Sequence, residues 1–268
     1  MLPPGALDLQ ILPDASAVAR LVADRLLREL LQGRPELTAD APSGGLRQPL
    51  GLATGRTMEP VYAALLQLVQ RLPAAERQRL RAGWLSFNLD EYVGFGPDDP
   101  RSFRAFMTAA LGQPLGLEPG QLQLPGGLAP DPAVEARRYA EALARAGGIG
   151  LQLLGLGLNG HVGFNEPPCG PEAPCRALML SASTRCQNAA AFGGDPQAVP
   201  AMAISLGLAE ILAARQLLLV VTGAAKATIL RRCLQEPPCA AVPGSWLQRH
   251  PQLTVVADAA AAAELALP

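Results

Sequence analysis

Two groups of residues in this chain carry side chains that can move protons. Asp90 and Glu91 stand side by side at the end of an apolar run, Trp84–Leu89. His161, one of two histidines in the chain, is followed five residues later by Glu166. Both lie in Leu153–Pro168, Leu-Leu-Gly-Leu-Gly-Leu-Asn-Gly-His-Val-Gly-Phe-Asn-Glu-Pro-Pro. An imidazole titrates near neutrality and passes protons either way. A carboxylate can accept a proton from a substrate, so this set suits general acid–base chemistry. For Asp90-Glu91 the plainer reading is a solvated turn.

The four glycines of the histidine stretch (Gly155, Gly157, Gly160, Gly163) let backbone amides approach a ligand closely. Gly155-Leu-Gly157-Leu-Asn-Gly160 matches G-x-G-x-x-G after a strand. A dinucleotide site also needs a helix opening at the third glycine and an acid about 20 residues on. Residues 161–168 are poor helix material and Arg176–Ala182 contains no acid, so nicotinamide and flavin binding are disfavoured.

Two other junctions suit an anion. Thr54-Gly55-Arg56-Thr57 joins a strand to a helix, and amides at a helix start beside hydroxyls can hold phosphate. It lacks the Gly-Lys-Ser/Thr ending of a P-loop, and an ordinary turn with a threonine cap fits equally. Thr222-Gly223-Ala224-Ala225-Lys226 repeats the pattern with a lysine in the first helical turn. A plain surface lysine is the alternative there.

These residues need a scaffold, and the pattern supplies one. Strands are expected at Leu7–Leu12, Gln48–Ala53, Trp84–Leu89, Ile149–Leu154, Arg176–Leu180, Ala201–Ser205, Gln216–Val221 and Leu253–Ala257. Between them lie helical stretches: one capped by Asp14 with Val18, Leu21, Val22, Leu26 and Leu30 on one stripe, then Met58–Arg71, Arg101–Leu111 and Pro132–Ala146. Further helices are expected from Ser183 to about Phe192, over Leu206–Ala214, after Lys226 to Leu234, and over Ala259–Leu267. Gly33–Leu46 and Gly112–Pro130 read as irregular. Alternation without a long linker predicts an α/β fold: a single doubly wound, mostly parallel sheet with helices on both faces, Rossmann-like, as one domain over residues 1–268.

Composition excludes several classes. The 268 residues are 49% hydrophobic, with 22 basic and 23 acidic residues and net charge −1. Nothing there attracts nucleic acid or a membrane surface, and no apolar run nears the roughly 20 residues of a membrane span. Five cysteines without a C-x-x-C pair, and no signal-peptide pattern, predict reduced thiols in a cytoplasmic protein. A Cys169/Cys175 metal pair lacks completing ligands.

Four separated segments share a likeness. Gly51-Leu-Ala-Thr54-Gly55-Arg56-Thr57, Phe87-Asn-Leu-Asp90-Glu91-Tyr92-Val-Gly94, Gly157-Leu-Asn159-Gly-His161-Val-Gly-Phe-Asn165-Glu166-Pro and Val242-Pro243…His250-Pro251 resemble the motifs of the glucosamine-6-phosphate deaminases. The resemblance extends to their relatives, galactosamine-6-phosphate deaminases and 6-phosphogluconolactonases, although Phe164-Asn165-Glu166 departs from the lactonase pattern. It implies an isomerising deaminase that turns glucosamine 6-phosphate and water into fructose 6-phosphate and ammonia. Alternatives are the galactosamine 6-phosphate reaction, a lactonase, or a sugar-phosphate sensor without catalysis.

The resemblance also implies roles. His161 opens the sugar ring, Asp90 moves the proton from C2 to C1, Glu166 supports His161, and the role of Glu91 is open. Thr54, Gly55, Thr57, Arg185 and Lys226 are implied to hold the phosphate, with no metal or organic cofactor. Asn159 stands where well-known members have aspartate, and Arg56 and Met58 replace a small residue and proline. An acetylated-sugar effector site would need serine, arginine, lysine and threonine after Asn-Glu-Pro. Here the register offers Cys169, Arg176, Leu178 and Met179, which implies no such activation and a monomer or small homo-oligomer. His250 is expected to be structural.

Overall fold

The structure, a computed structural model, describes residues 7–31 and 48–266. In chain order the elements are β1 (Leu7–Leu12), α1 (Ala15–Leu31), β2 (Leu50–Leu52), α2 (Glu59–Arg71), α3 (Ala74–Ala82), β3 (Ser86–Asn88) and β4 (Asp90–Tyr92). Next come α4 (Phe103–Met107), α5 (Gln113–Leu115), β5 (Leu122–Gln123), α6 (Pro132–Arg145), β6 (Leu151–Gly155) and β7 (Arg176–Met179). The chain continues through α7 (Ala182–Asn188), β8 (Met202–Ser205), α8 (Leu208–Leu212), β9 (Gln216–Val221), α9 (Ala227–Gln235) and β10 (Leu253–Asp258).

Local signals explain the longer helices. Ala17 N–H donates to Asp14 Oδ1 (2.8 Å), so α1 starts where the cap was expected. Val18, Val22, Leu26 and Leu30 bury its stripe, while Leu21 sits at the margin. Asp131 caps α6 through Ala133 and Val134, with Pro132 at the first helical position.

Seven strands form a parallel sheet in the order β1-β10-β9-β6-β2-β3-β5. From β2 the chain runs outward through β3 to β5, then returns to β6 and runs the other way through β9 to β10. The strand order therefore reverses between β2 and β6, and in open α/β sheets ligands bind at such a reversal, beyond the strands' C-terminal ends. One hydrophobic cluster runs through the sheet, including Val22, Leu65, Leu153, Leu219 and Val255. Phe87 meets Tyr139 of α6 on one face (ring centroids 5.6 Å), and α1 packs along α2.

Three expectations need correction. The sheet is not single: β4, β8 and β7 form a separate antiparallel sheet in the order β4-β8-β7. The run Trp84–Leu89 leaves the parallel sheet after Asn88, and Asp90-Glu91-Tyr92 is itself a strand rather than a turn. The alanine-rich end is not a helix. After β10 it makes turns over residues 259–264, where Ala261 N–H donates to Asp258 Oδ1 (2.8 Å); high alanine propensity does not overcome helix nucleation in so short a piece. Arg101–Leu111 resolves into α4 and a wider π-type turn over Thr108–Gly112, and α3, β5 and the 3₁₀ segment Pro243–Arg249 were not anticipated. The loop expected at Gly33–Leu46 lies outside the described residues.

Candidate active site

Four neighbouring strands of the large sheet, β9-β6-β2-β3, deliver the functional loops. Lys226 follows β9, His161 and Glu166 follow β6, Thr54–Thr57 follow β2, and Asp90 begins β4 just after β3. The β2 and β6 loops flank the reversal of strand order. Thr54 and Thr57 are half-buried and Gly55 is exposed, at φ +105°, a region that glycine enters without strain. Met58, which departs from the family's proline, is buried with its methyl where a Cβ at Gly155 would lie 3.5 Å away. It tacks the Thr54–Thr57 loop to the end of β6.

The histidine loop is held from several sides. Gly157 N–H donates to His161 O (2.9 Å), and Asn165 Nδ2–H donates to Val162 O (3.0 Å) and Leu206 O (2.9 Å). Phe164 N–H donates to Ser205 Oγ (3.1 Å). The imidazole lies flat over Gly157, where any Cβ would fall 2.3 Å from the ring. No helix opens at Gly160, so the geometry agrees with the rejection of a dinucleotide loop.

His161 Nδ1 is 2.6 Å from Asn159 Oδ1, which also accepts from the His161 backbone N–H (3.2 Å). Asn159 Nδ2–H donates to Glu166 Oε2 (3.4 Å), and Glu166 Oε1 accepts from Ser181 N–H (3.1 Å) at the cap of α7. Thr184 Oγ1, buried on α7, is 3.4 Å from His161 Nδ1. Burial pulls the imidazole down to about 4, against Glu166, which favours the cation, while Lys226 opposes it. His161 is therefore neutral near pH 7.

Asp90 is 5% exposed, and none of the described residues hydrogen-bonds its carboxyl. Burial first, and neighbouring Glu91 second, push it up to about 8. A Cβ at Gly163 would lie 3.6 Å from Asp90 Oδ2 and 3.1 Å from Ser205 Oγ, so the base candidate abuts the histidine loop. Tyr92, Phe103 and Phe164 stack behind them at 4.6–5.9 Å between centroids, tying β4 to that loop.

Glu91 has an architectural role that the sequence left open. Its carboxylate accepts from Tyr92 N–H (2.8 Å), Phe103 N–H (3.0 Å) and Arg104 N–H (2.8 Å), anchoring the start of α4 to β4. Its partners lie up to 13 residues away, so no local pattern reveals them. Ser205, the cross-strand partner of Asp90, was also missed, and only the register of the small sheet brings it forward.

The anion residues divide. Lys226 is half-buried, without an acidic partner among the described residues, and burial together with Arg56 pushes it down to about 8. Two cations close enough to repel suit an anion. Arg185 is turned elsewhere: its Nε–H donates to Val199 O (3.2 Å) and its Nη2–H to Gln197 O (3.1 Å). His250 is structural, with Nε2–H donating to Ala214 O (2.8 Å) and Nδ1 accepting from Gln252 N–H (3.1 Å). Arg176 donates from Nη1 to Asn165 Oδ1 (2.9 Å) and braces the histidine loop.

Comparison with known proteins agrees with this arrangement. Residues 22–256 match the glucosamine-6-phosphate isomerases/6-phosphogluconolactonase family. The chain is 39% identical over 261 residues to a glucosamine-6-phosphate deaminase of Streptomyces avermitilis, covering 97% of this chain and 94% of that one. It is 39% identical over 251 residues to the deaminase of Hahella chejuensis, covering 94% and 89%. Its fold is similar to a monomeric glucosamine-6-phosphate deaminase (TM-score 0.84, 30% identity, 96% and 99% covered). It also shares its fold with the 6-phosphogluconolactonase of Leishmania guyanensis (TM-score 0.72, 18% identity, 98% and 100% covered). The chain belongs to the glucosamine-6-phosphate isomerase/6-phosphogluconolactonase family.

Proposed function

We propose that this protein is an isomerising deaminase that converts glucosamine 6-phosphate and water to fructose 6-phosphate and ammonia. The observation that carries the reading is the pairing of buried Asp90 with the loop of a neutral His161, whose Nδ1–H is committed to Asn159. That leaves Nε2 to take the anomeric hydroxyl proton and return it to the ring oxygen, which opens the sugar. Asp90 as carboxylate then removes the C2 proton while the C1 carbonyl oxygen takes a proton from the C2 ammonium, giving an enolamine, and Asp90 returns its proton to C1. The result is an imine at C2; water adds there, ammonia leaves and the ketose remains. The substrate's C2 ammonium favours the ionised form of Asp90, which burial alone disfavours.

Lys226 and Arg56, with the Thr54–Thr57 loop, are assigned to the phosphate, which supplies binding energy remote from the reacting carbons. Arg185 reaches that anion only by giving up a bond to the 197–199 carbonyls. We assign it to the cytoplasm as a single domain, a monomer or small homo-oligomer acting on a small sugar phosphate; its free thiols and its likeness to a monomeric deaminase support the assignment.

Ammonia release from glucosamine 6-phosphate, beside galactosamine 6-phosphate and an Asp90→Asn control, tests the reading. Release from the first sugar, abolished by the substitution, is expected. Release from the second alone changes the substrate and keeps the chemistry. Binding of both sugars without turnover overturns the enzyme reading.

A further inference from the structure

The loop that carries Lys226 is gripped by an anion of the chain's own. Asp258 closes β10, whose Ala257 lies opposite Val221 at the end of β9. From there its carboxylate, 5% exposed, crosses to the β9 loop and accepts the Gly223 N–H, 3.0 Å from either oxygen. Its Oδ1 also accepts from Ala261 N–H (2.8 Å). Gly223 lies at φ +92°, a conformation that glycine adopts without strain. The Gly223 carbonyl in turn accepts the Lys226 N–H (3.0 Å), which closes the short turn Ala224–Lys226. One residue thus links the carboxylate to the lysine: Asp258 holds the loop by its backbone and makes no bond to the ammonium.

We propose that Asp258 is a positioning residue for anion capture: it fixes the β9 loop through Gly223 so that Lys226 stands ready beside Arg56. Two cations close enough to repel drift apart when nothing holds their loops. A fixed loop meets that cost on folding rather than on binding, so an incoming phosphate has less to order. A purely electrostatic role for Asp258 has the opposite sign. Removing a negative charge beside the loop and releasing a backbone donor would both tighten phosphate. The contacts farther along the C-terminal segment, Thr228 Oγ1–H to Glu264 Oε1 (2.7 Å) and Arg231 Nε to Glu264 Oε2 (3.7 Å), are exposed and contribute little. The inference rests on the assignment of Lys226 to the phosphate, but its first test needs no turnover.

That test is binding of inorganic phosphate to the full chain, followed by ³¹P spectroscopy or calorimetry. Asp258→Asn removes the charge and sets an amide donor against the Gly223 N–H, and should weaken phosphate about fivefold or more. Asp258→Glu keeps the charge, shifts it by one methylene and should weaken phosphate too; it carries the comparison should Asp258→Asn fail to fold. With Lys226→Met in place, Asp258→Asn should change phosphate affinity by less than about twofold, because its effect passes through the lysine. In turnover of glucosamine 6-phosphate, Asp258→Asn should raise KM by the same factor and hold kcat within about threefold, while Glu264→Gln should move neither.

Tighter phosphate binding in Asp258→Asn overturns the proposal, as does an equal loss with and without Lys226. A lower urea midpoint with unchanged phosphate affinity makes Asp258 a purely structural residue and also refutes it. A parent chain that binds no phosphate overturns the assignment of Lys226 and the proposal together. If phosphate binds as described yet neither amino sugar releases ammonia, the functional reading fails and the positioning role stands.

Discussion

Replacing Asp90 with asparagine should make the protein more stable and inactive at once. Burial and Glu91 move the carboxyl from 3.8 to about 8, roughly four units. At about 1.4 kcal/mol per unit, ionising Asp90 in the folded state costs ~5 kcal/mol. The folded pKa lies above the unfolded one, so the native state holds the extra proton between these values. Stability contributed by Asp90 is therefore intact below about 3.8 and falls as pH rises toward 8, beyond which the full cost persists. Asparagine removes that dependence, and its amide is as unpartnered as the neutral carboxyl it replaces, so the net gain at pH 9 approaches the same ~5 kcal/mol. At pH 4, where both side chains are neutral, the two proteins should be nearly equal. Urea unfolding of parent and variant at pH 4, 6 and 9 measures the difference, with ammonia release followed in parallel. A gain that is equal at pH 4 and pH 9, or a loss at pH 9, would refute the placement of Asp90 as a desolvated, unpartnered acid.

Gly157→Ala puts a Cβ 2.3 Å from the His161 ring, so kcat should drop steeply and stability by about 1–3 kcal/mol, read from the pH–rate profile and urea midpoint. Lys226→Met should raise KM and weaken competition by inorganic phosphate, because it removes a half-buried cation, and should move the His161 limb of the pH–rate profile upward, because Lys226 opposes the imidazolium. Glu91→Gln withdraws the charge that holds three backbone N–H groups, and should cost about 1–3 kcal/mol in urea unfolding. It also lowers the Asp90 pKa, so the limb of the activity profile governed by Asp90 should shift to lower pH. Arg176 is spent on Asn165, so N-acetylglucosamine 6-phosphate should leave the rate curve hyperbolic and unchanged; activation by it would contradict this.

The parts of this molecule that were readable are those whose signals are local. The Asp14 cap with the Val18–Leu30 stripe, and the apolar runs of β6, β9 and β10, announce themselves because burial dictates each residue's type. The candidate residues were picked out by their motifs; the structure joins His161, Asn159 and Glu166 by hydrogen bonds and sets Asp90 against the same loop at Gly163. The small sheet was hidden because β4 is three residues long and reads Asp-Glu-Tyr, polar residues buried for chemistry and anchoring. Helix α3 buries only Leu80, so it has almost no apolar stripe to recognise. The bonds of Arg185 to the carbonyls of Gln197 and Val199 were not legible, because a motif records which residue is present but not which carbonyls compete for it. The C-terminal alanines followed the pull of Asp258 rather than their own preference.

The passage of the chain at Leu89 from one sheet to the other divides the labour of the site between two supports. The anion loops after β2 and β9 belong wholly to the parallel sheet, whereas Asp90 is carried by the antiparallel sheet and its aromatic backing. Substitution in the small sheet and in residues 159–166 can thus change the acid–base groups while leaving the loops proposed to hold the phosphate on their own support. A fold arranged this way is open to new reactions on related sugar phosphates, and a family that spans both isomerases and lactonases is the outcome such a division allows.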